Sequence, residues 1–308
     1  MHDVTSRAVP DAQIHRGPAA GRTRRILGGT RATRREVREV GPLGVACAGG
    51  LARCFAILGA LIRLEENGVV PDVLSGTSSG CLAAVLVARF GAEAAREAIG
   101  ALCRAGNRAW TRLVGPGEPS RLGWGRDRGW ISFRPLGDWV EAVTGVRRIE
   151  DLPKRVSICA TDVETGRPRF FTRGPLGTAC AASCSLRPAQ PVRWEDGRLY
   201  IDGGYSANVP VRTCYEEGCA RVIALDGLSR SQGDVVTRVR TAKRIETAEP
   251  GQATRCPDAP ADYWLPMGER GQARFDLTAW EDLVRHGYRL AEPLARRVRA
   301  DAAGAWKA

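Results

Sequence analysis

Two short glycine-rich motifs carry the side chains best suited to chemistry in this 308-residue chain. Residues 76–80 read Gly-Thr-Ser-Ser-Gly, a G-x-S-x-G pattern with Ser78 at its centre. Residues 202–204 read Asp-Gly-Gly and place the carboxylate of Asp202 on a second glycine-supported turn. A serine hydroxyl becomes an effective nucleophile when a positioned base removes its proton. The pair therefore predicts a serine hydrolase with Ser78 as nucleophile and Asp202 as general base.

The residues around Ser78 predict the local structure that such a nucleophile requires. An apolar segment, residues 71–75, precedes the motif, and a longer apolar run, residues 81–88, follows it. This order predicts a strand, a tight turn and a helix, which is the setting of a nucleophile elbow. Gly76 and Gly80 carry no Cβ, so the backbone can turn sharply and leave the Ser78 hydroxyl exposed.

A third segment predicts an oxyanion-binding loop. The apolar residues 45–48 run into Gly49 and Gly50, and a helical pattern with a stop signal at Gly68 follows. Backbone N–H groups at a helix start lack intrahelical partners and point outward, where they stabilise developing negative charge. We therefore predict that the backbone of Gly49, Gly50 and Leu51 forms the oxyanion hole.

In their order and spacing these motifs resemble the patatin-like phospholipase family. The resemblance covers residues 42–226 and extends to three further segments, at 160–166, 182–192 and 208–211. It implies a Ser-Asp dyad that works through a covalent acyl-enzyme on phospholipid, lysophospholipid or other acyl-ester substrates. The residues to which it assigns supporting roles are Arg53, Gly76, Gly80, Gly203 and Gly204.

The chain departs from the family pattern in the glycine loop. Ala48 stands where the first glycine is expected, Arg53 occupies the basic position, and Cys54 replaces the last glycine. Because Cys54 carries a Cβ, it cannot adopt a positive φ as easily as glycine, so we expect an altered oxyanion loop. Ser79 replaces the small alanine often found after the nucleophile. The departures at Ala48 and Cys54 leave a patatin-like pseudoenzyme that binds lipid or protein as an alternative. An acyltransferase that uses the same acyl-enzyme is a further alternative.

The few histidines also favour a dyad. The chain holds three, His2, His15 and His286, and the first two lie in the N-terminal extension. A Ser-His-Asp triad could therefore use His286 alone. Residues 280–288 have the pattern of an amphipathic helix, which is typical of a surface or helix-end histidine. The triad of an ordinary α/β-hydrolase remains the competing hypothesis.

Alternating strand and helix signals from about residue 43 to 226 predict the fold. They indicate a three-layer α/β/α domain over residues 41–308 with a mainly parallel, doubly wound sheet. The catalytic turns should then follow the carboxyl ends of strands. Residues 106–139, rich in Pro, Gly and Trp, predict a lid-like insertion, with a packed surface excursion as the alternative. Residues 227–260 predict a long loop.

The net charge of +12 is concentrated in part at the N-terminus. Residues 1–40 contain nine arginines and four acidic residues and little apolar periodicity. They predict a disordered basic extension, which can contact an anionic membrane surface peripherally. The chain has no motif or aromatic platform that would indicate specific binding of nucleic acid.

The ten cysteines favour a reducing, cytoplasmic environment. Several lie within apolar segments, where a free cysteine behaves as a small hydrophobic residue. No C-x-x-C pair occurs, and the cysteine pairs have no histidines nearby, so no zinc site is predicted. The proposed acyl transfer requires neither a metal nor a cofactor. No apolar run is long enough to predict a membrane span or a secretory signal.

Overall fold

The computed structural model of this protein describes residues 41–105, 111–117, 129–230, 236–237, 258–268 and 277–304. The basic extension predicted over residues 1–40 lies outside these residues, so its predicted disorder and membrane contact remain predictions. The helices and strands described below are those of the described residues.

The strands form one large sheet and one small ribbon. The bounds of the strands are β1 Leu43–Cys47, β2 Val73–Thr77, β3 Gly115–Pro116, β4 Ile131–Ser132, β5 Arg155–Asp162, β6 Pro168–Phe171, β7 Val192–Arg193, β8 Leu199–Asp202, β9 Arg221–Arg230, β10 Val236–Thr237 and β11 Tyr263–Gly268. The large sheet has the order β10-β11-β9-β1-β2-β5-β8-β7, with β6 paired to β5, and β3 pairs with β4 in the ribbon.

Seven helices accompany the strands within the described residues. They are α1 Cys54–Glu66, α2 Ser79–Phe90, α3 Ala92–Arg104, α4 Arg134–Thr144, α5 Leu176–Cys184, α6 Arg212–Glu216 and α7 Trp280–Gly304. Short 3-10 helices follow β1 and β8.

The centre of the sheet is parallel and buried. Strands β11, β9, β1, β2 and β5 run parallel to one another, and every residue of β1 and β2 is buried. Parallel strands covered on both faces consist of nearly continuous apolar runs, as these two do. Helices such as α1 and α2 cover one face, and the short helix α6 packs on the other, against β1, β2 and β9. The predicted three-layer α/β/α fold is confirmed.

The predicted insertion at 106–139 is described only in part. Its residues 115–116 and 131–132 form the antiparallel ribbon of β3 and β4. From Arg134 onward the chain forms α4, which packs closely on α5: a Cβ added at Gly137 would lie 2.3 Å from the Gly177 carbonyl oxygen. The last residues of the predicted insertion therefore belong to the helical layer. A lid function for the remainder stays a prediction.

The predicted loop at 227–260 lies mostly outside the described residues. Residues 227–230 continue β9, and residues 236–237 form β10 at the edge of the sheet.

Among all the helices described, none combines the length and apolarity needed to cross a bilayer.

Candidate active site

Ser78 lies at a strained turn between β2 and α2. Its backbone has φ 53° and ψ −131°, and Leu51 is the one other non-glycine residue with a positive φ in the described part of the chain. Such a conformation costs about 1–3 kcal/mol for a residue with a side chain and persists when the surroundings enforce it. The nucleophile elbow expected from the sequence therefore has the backbone geometry that defines one.

The two glycines of the motif let α2 approach the sheet at backbone contact. A Cβ added at Gly76 would lie 2.5 Å from the Cys81 Cα, and one added at Gly80 would lie 2.4 Å from the Ala48 carbonyl oxygen. Real Cβ atoms do not approach other atoms so closely, so both positions require glycine. Gly76 and Gly80 thus serve the close packing that holds the turn.

A buried serine on α5 anchors the elbow. The backbone N–H of Ser78 donates to the Ser183 Oγ at 2.8 Å. The Ser183 hydroxyl in turn donates to the Cys159 carbonyl oxygen on β5 at 2.6 Å. Ser183 therefore links the backbone of Ser78 to α5, on which Ser183 lies, and to the neighbouring strand β5.

Asp202 ends β8 and is 3% exposed. Its Oδ1 accepts a hydrogen bond from the Gly204 N–H at 2.8 Å, which forms a local turn. Burial raises the pKa of Asp202 to about 7, and hydrogen bonds from the Ser78 side chain and the Gly204 backbone act in the opposite direction. A carboxylate with its pKa near neutrality is a far better proton acceptor than one in water, as a general base requires.

The sheet register brings Ser78 and Asp202 to the same level. Thr77 on β2 lies opposite Cys159 on β5, and the next residue of β5, Ala160, lies opposite Asp202. Ser78 and Asp202 are therefore level on either side of β5. However, β8 runs antiparallel to β5. Ser78 therefore follows the end of a strand that is parallel to β5, whereas Asp202 lies at the end of an antiparallel one. β5 continues past the level of Ser78, and β8 runs back alongside it in the opposite direction. The end of β8 therefore places the Asp202 carboxylate at the level of Ser78.

The two glycines that follow Asp202 have different structural roles. A Cβ added at Gly203 would lie 2.4 Å from the Cys159 carbonyl oxygen, so this position has room for glycine alone. Gly204 contributes its N–H to the Asp202 carboxylate at 2.8 Å. Gly203 thus allows the turn to pack on β5, and Gly204 orients the carboxylate.

The glycine loop lies against the elbow. A Cβ added at Gly49 would lie 2.9 Å from the Ser78 Cβ. The Gly49 N–H donates to the Asn208 carbonyl oxygen at 3.2 Å, and the Gly50 N–H donates to the Ser79 Oγ, also at 3.2 Å. Within the described chain, the Leu51 N–H donates to no protein acceptor. Of the three predicted oxyanion donors, Leu51 is the one left available.

Cys54 does not distort this loop in the way that its Cβ led us to expect. It has φ −60° and ψ −21°, which is ordinary right-handed backbone, and it begins α1 without strain. The positive φ of the loop falls instead on Leu51, at 56°. Arg53 is half-buried beside the loop, where its Cβ lies 3.4 Å from the position of a Cβ added at Gly50. A functional role for Arg53 remains a prediction.

His286 lies on α7, away from the centre of the sheet. Its Nε2 is 3.1 Å from the Met267 carbonyl oxygen on β11, and two strands, β9 and β1, separate β11 from β2. Helix α7 is packed tightly on α1, since a Cβ added at Gly287 would lie 1.8 Å from the Ala56 carbonyl oxygen. This location favours the predicted structural histidine over a triad member.

Sequence reasoning did not assign roles to three residues that shape this site: Ser79, Ser183 and Asn208. Ser183 and Asn208 fall in segments that carry the family resemblance, but nothing in their spacing indicates which backbone group they bind. The sequence marks Ser79 only as a replacement for the alanine that often follows the nucleophile. Their roles depend on contacts across 29 to 159 positions of sequence, which no local pattern encodes.

All nine cysteines within the described residues are free, and eight of them are buried. The same residues contain no cluster of three or more His, Cys, Asp or Glu side chains arranged to hold a metal ion.

Taken together, the fold and the site define an α/β protein with a nucleophile-elbow serine beside a buried carboxylate. Comparison with known families specifies this further. The sequence model of the patatin-like phospholipase family matches residues 45–215, which is more than half of the chain. The chain therefore belongs to the patatin-like phospholipase family, and the resemblance inferred from the motifs is confirmed.

Curated relatives match over the same region. A patatin-like phospholipase domain-containing protein of Caenorhabditis elegans is 32% identical over 60% of this chain and 13% of its own length. An NTE family protein of Mycobacterium tuberculosis is 31% identical over 60% of this chain and 30% of its own. A lysophospholipase of Saccharomyces cerevisiae is 28% identical over 60% of this chain and 11% of its own. The chain thus spans less than a third of the length of each of these relatives.

Among solved structures, VipD from Legionella pneumophila is similar to this chain, with a TM-score of 0.46 and 13% sequence identity. The similarity covers 83% of this chain and 66% of that one.

Proposed function

We propose that this protein is a serine acyl-ester hydrolase that acts on lipids, with Ser78 as nucleophile and Asp202 as general base. The observation that carries the proposal is the placement of Ser78, at a strained turn, level with the buried carboxyl of Asp202, whose pKa is raised to about 7. Such a group is deprotonated often enough near neutral pH to accept a proton and acidic enough to return it.

The reaction follows from these two groups. The Ser78 Oγ attacks the ester carbonyl carbon while its proton passes to Asp202, and the carbonyl oxygen becomes an oxyanion beside the glycine loop. Collapse of this intermediate breaks the ester bond, and Asp202 returns the proton to the departing alcohol. Water then attacks the acyl-enzyme, again giving its proton to Asp202, and the fatty acid leaves as Ser78 regains its hydrogen.

Lipid esters are the favoured substrate class because the chain belongs to the patatin-like phospholipase family. The yeast relative is named as a lysophospholipase, which makes a lysophospholipid the first substrate to test. Transfer of the acyl group to an acceptor other than water would use the same intermediate and is the related alternative.

The pseudoenzyme alternative rests on Ala48 and Cys54 in the glycine loop, and the ordinary backbone of Cys54 removes one of these two motivations. The two functions differ in one measurable property. A fluorophosphonate probe reacts with an activated serine, so the enzyme should be labelled at Ser78, whereas a lipid-binding pseudoenzyme should not.

The decisive experiment compares wild-type protein with Ser78→Ala and with Ser157→Ala as the matched serine control. Ser157 is buried on β5 and bonds to Thr213, on the opposite side of the sheet from α2. We expect labelling and ester hydrolysis in wild type and Ser157→Ala and neither in Ser78→Ala, with melting curves confirming that all three fold. The wild-type kcat/KM should rise with pH and level off above about 7. Folded wild-type protein that is neither labelled nor active on lysophospholipid, diacyl phospholipid or a short-chain ester would refute the proposal.

A further inference from the structure

The peptide unit that joins Gly49 to Gly50 is held at both ends by side chains from other elements. On one side, the Asn208 Nδ2 donates to the Gly49 carbonyl oxygen at 3.3 Å. On the other, the Gly50 N–H donates to the Ser79 Oγ at 3.2 Å. Because a peptide unit is planar and its C=O and N–H point in opposite directions, these two bonds fix the orientation of the whole unit.

The next peptide unit is fixed as well. The Gly50 carbonyl oxygen accepts from the Arg53 N–H at 3.2 Å, inside the 3-10 helix of residues 51–53. The Leu51 N–H belongs to the same planar unit and therefore points away from that helix. Leu51 also holds a positive φ of 56°, a conformation that a leucine keeps when its surroundings impose it.

Ser79 is suited to this task by its own surroundings. It is 9% exposed and directly follows Ser78, and its side chain acts to lower the pKa of the Cys54 thiol. Burial raises the pKa of Cys54 to about 12, so the thiol stays neutral and provides a weak partner for the Ser79 hydroxyl. Cys54 and Ser79, two of the three residues at which this chain departs from the family pattern, thus lie near each other beside the glycine loop.

We propose that Ser79 is a positioning residue that clamps the Gly49–Gly50 peptide, together with Asn208, so that Leu51 N–H serves as the oxyanion donor. This inference rests on the proposed function and specifies how the oxyanion is held. It makes a directional prediction. If the Gly50 N–H were instead the working donor, the Ser79 hydroxyl would compete with the oxyanion for it, and removing that hydroxyl would increase the rate.

The test uses full-length wild type, Ser79→Ala and Ser79→Thr, which retains a hydroxyl. For each we would measure kcat and KM on a soluble short-chain ester and the Ki of an alkyl trifluoromethyl ketone, which adds to the Ser78 Oγ to form a hemiketal oxyanion. Loss of one neutral hydrogen bond changes a rate about tenfold. We expect Ser79→Ala to lower kcat about tenfold with KM unchanged and to raise the Ki by the same factor, and Ser79→Thr to recover most of both.

Two outcomes would overturn the clamp: a Ser79→Ala variant that is as active as wild type or more active, or a reduced kcat with an unchanged Ki. Hydrogen exchange of the Gly50 amide tests the clamp independently of activity, so it distinguishes an incorrect clamp from an incorrect proposed function. In Ser79→Ala the amide should exchange about tenfold faster than in wild type. A wild-type protein without Ser78-dependent turnover would refute the proposed function, whereas equal exchange in both proteins would refute the clamp.

Discussion

The Ser78 turn and the Asp202 turn of this protein look alike in sequence but hold their polar side chains by different physical means. At the first, Ser78 has φ 53°, and the cost is conformational. At the second, Asp202 has φ −47° and ψ 132°, which is unstrained, and the cost is the burial of a carboxylate. Glycines support both turns, but those of the first admit a helix and those of the second admit a neighbouring strand and donate to the carboxylate.

This difference shows that the two groups can be disturbed separately. A change that relieves the burial of charge should act on Asp202 and leave the strained serine turn intact. A change in the packing of α2 should act on the serine turn and leave the pKa of the carboxyl largely as it is. The following predictions test this separation, starting with the largest effect.

Replacing Asp202 with Asn should lower kcat by about 10²–10⁴-fold, because it keeps the size of the side chain and removes its basicity. The Asn side chain can still accept from the Gly204 N–H, so the turn should survive. Rates on a short-chain ester, with circular dichroism to confirm folding, provide the measurement. Activity within a few-fold of wild type would exclude Asp202 as the base.

The same substitution should stabilise the folded protein at high pH. The pKa of Asp202 is raised from 3.8 to about 7 in the folded state, so the stability it contributes is complete below pH 4 and is lost as the pH rises to about 7. Because Asn does not ionise, the Asp202→Asn variant does not lose this stability as the pH rises. Its free energy of unfolding should exceed that of wild type by up to about 4 kcal/mol above pH 7. Below pH 4 the two should agree.

Denaturant unfolding between pH 4 and pH 8 measures this effect. Asp138→Asn, which alters an exposed aspartate on α4, is the matched control and should change the pH dependence little. If Asp202→Asn and wild type lose stability in parallel as the pH rises, Asp202 is not the buried acid described here.

Gly80→Ala should disturb the serine turn. Alanine is favoured over glycine inside a helix by about 1 kcal/mol, but its Cβ would lie 2.4 Å from the Ala48 and Cys47 carbonyl oxygens. Because backbone atoms cannot move aside easily, we expect a net loss of about 1–3 kcal/mol in the free energy of unfolding, together with lower activity. Gly304→Ala, where an added Cβ meets no atom within 4 Å, is the control. Equal melting temperatures for the two variants would contradict the packing argument.

His286→Ala should change kcat within about twofold, the smallest effect of the set, because His286 contacts the Met267 carbonyl on β11. The kinetic assay used for Asp202→Asn measures it under the same conditions. Loss of activity in this variant, with activity retained in Asp202→Asn, would replace the dyad with a triad.

Much of the fold and the identity of the central residues could be predicted from the sequence. Ser78 and its glycines are recognisable in the sequence because a sharp strand-to-helix turn limits which residues fit at each position. The parallel core was predictable for a similar reason, since β1 and β2 consist of apolar residues with few alternatives to burial. The insertion near 106–139 was harder to delimit, because the start of α4 at Arg134 depends on packing against α5.

The sequence alone therefore determined the family, the α/β architecture and the residues to examine, because these depend on local sterics and on hydrophobic periodicity. Only the tertiary structure decided how they meet. The antiparallel return of β8 levels Asp202 with Ser78, and burial sets the pKa of Asp202. The bonds of Ser79 and Asn208 to the glycine loop decide which backbone N–H groups remain available. Distance, solvent exclusion and hydrogen-bond partners arise between segments far apart in the chain, and local sequence does not encode them.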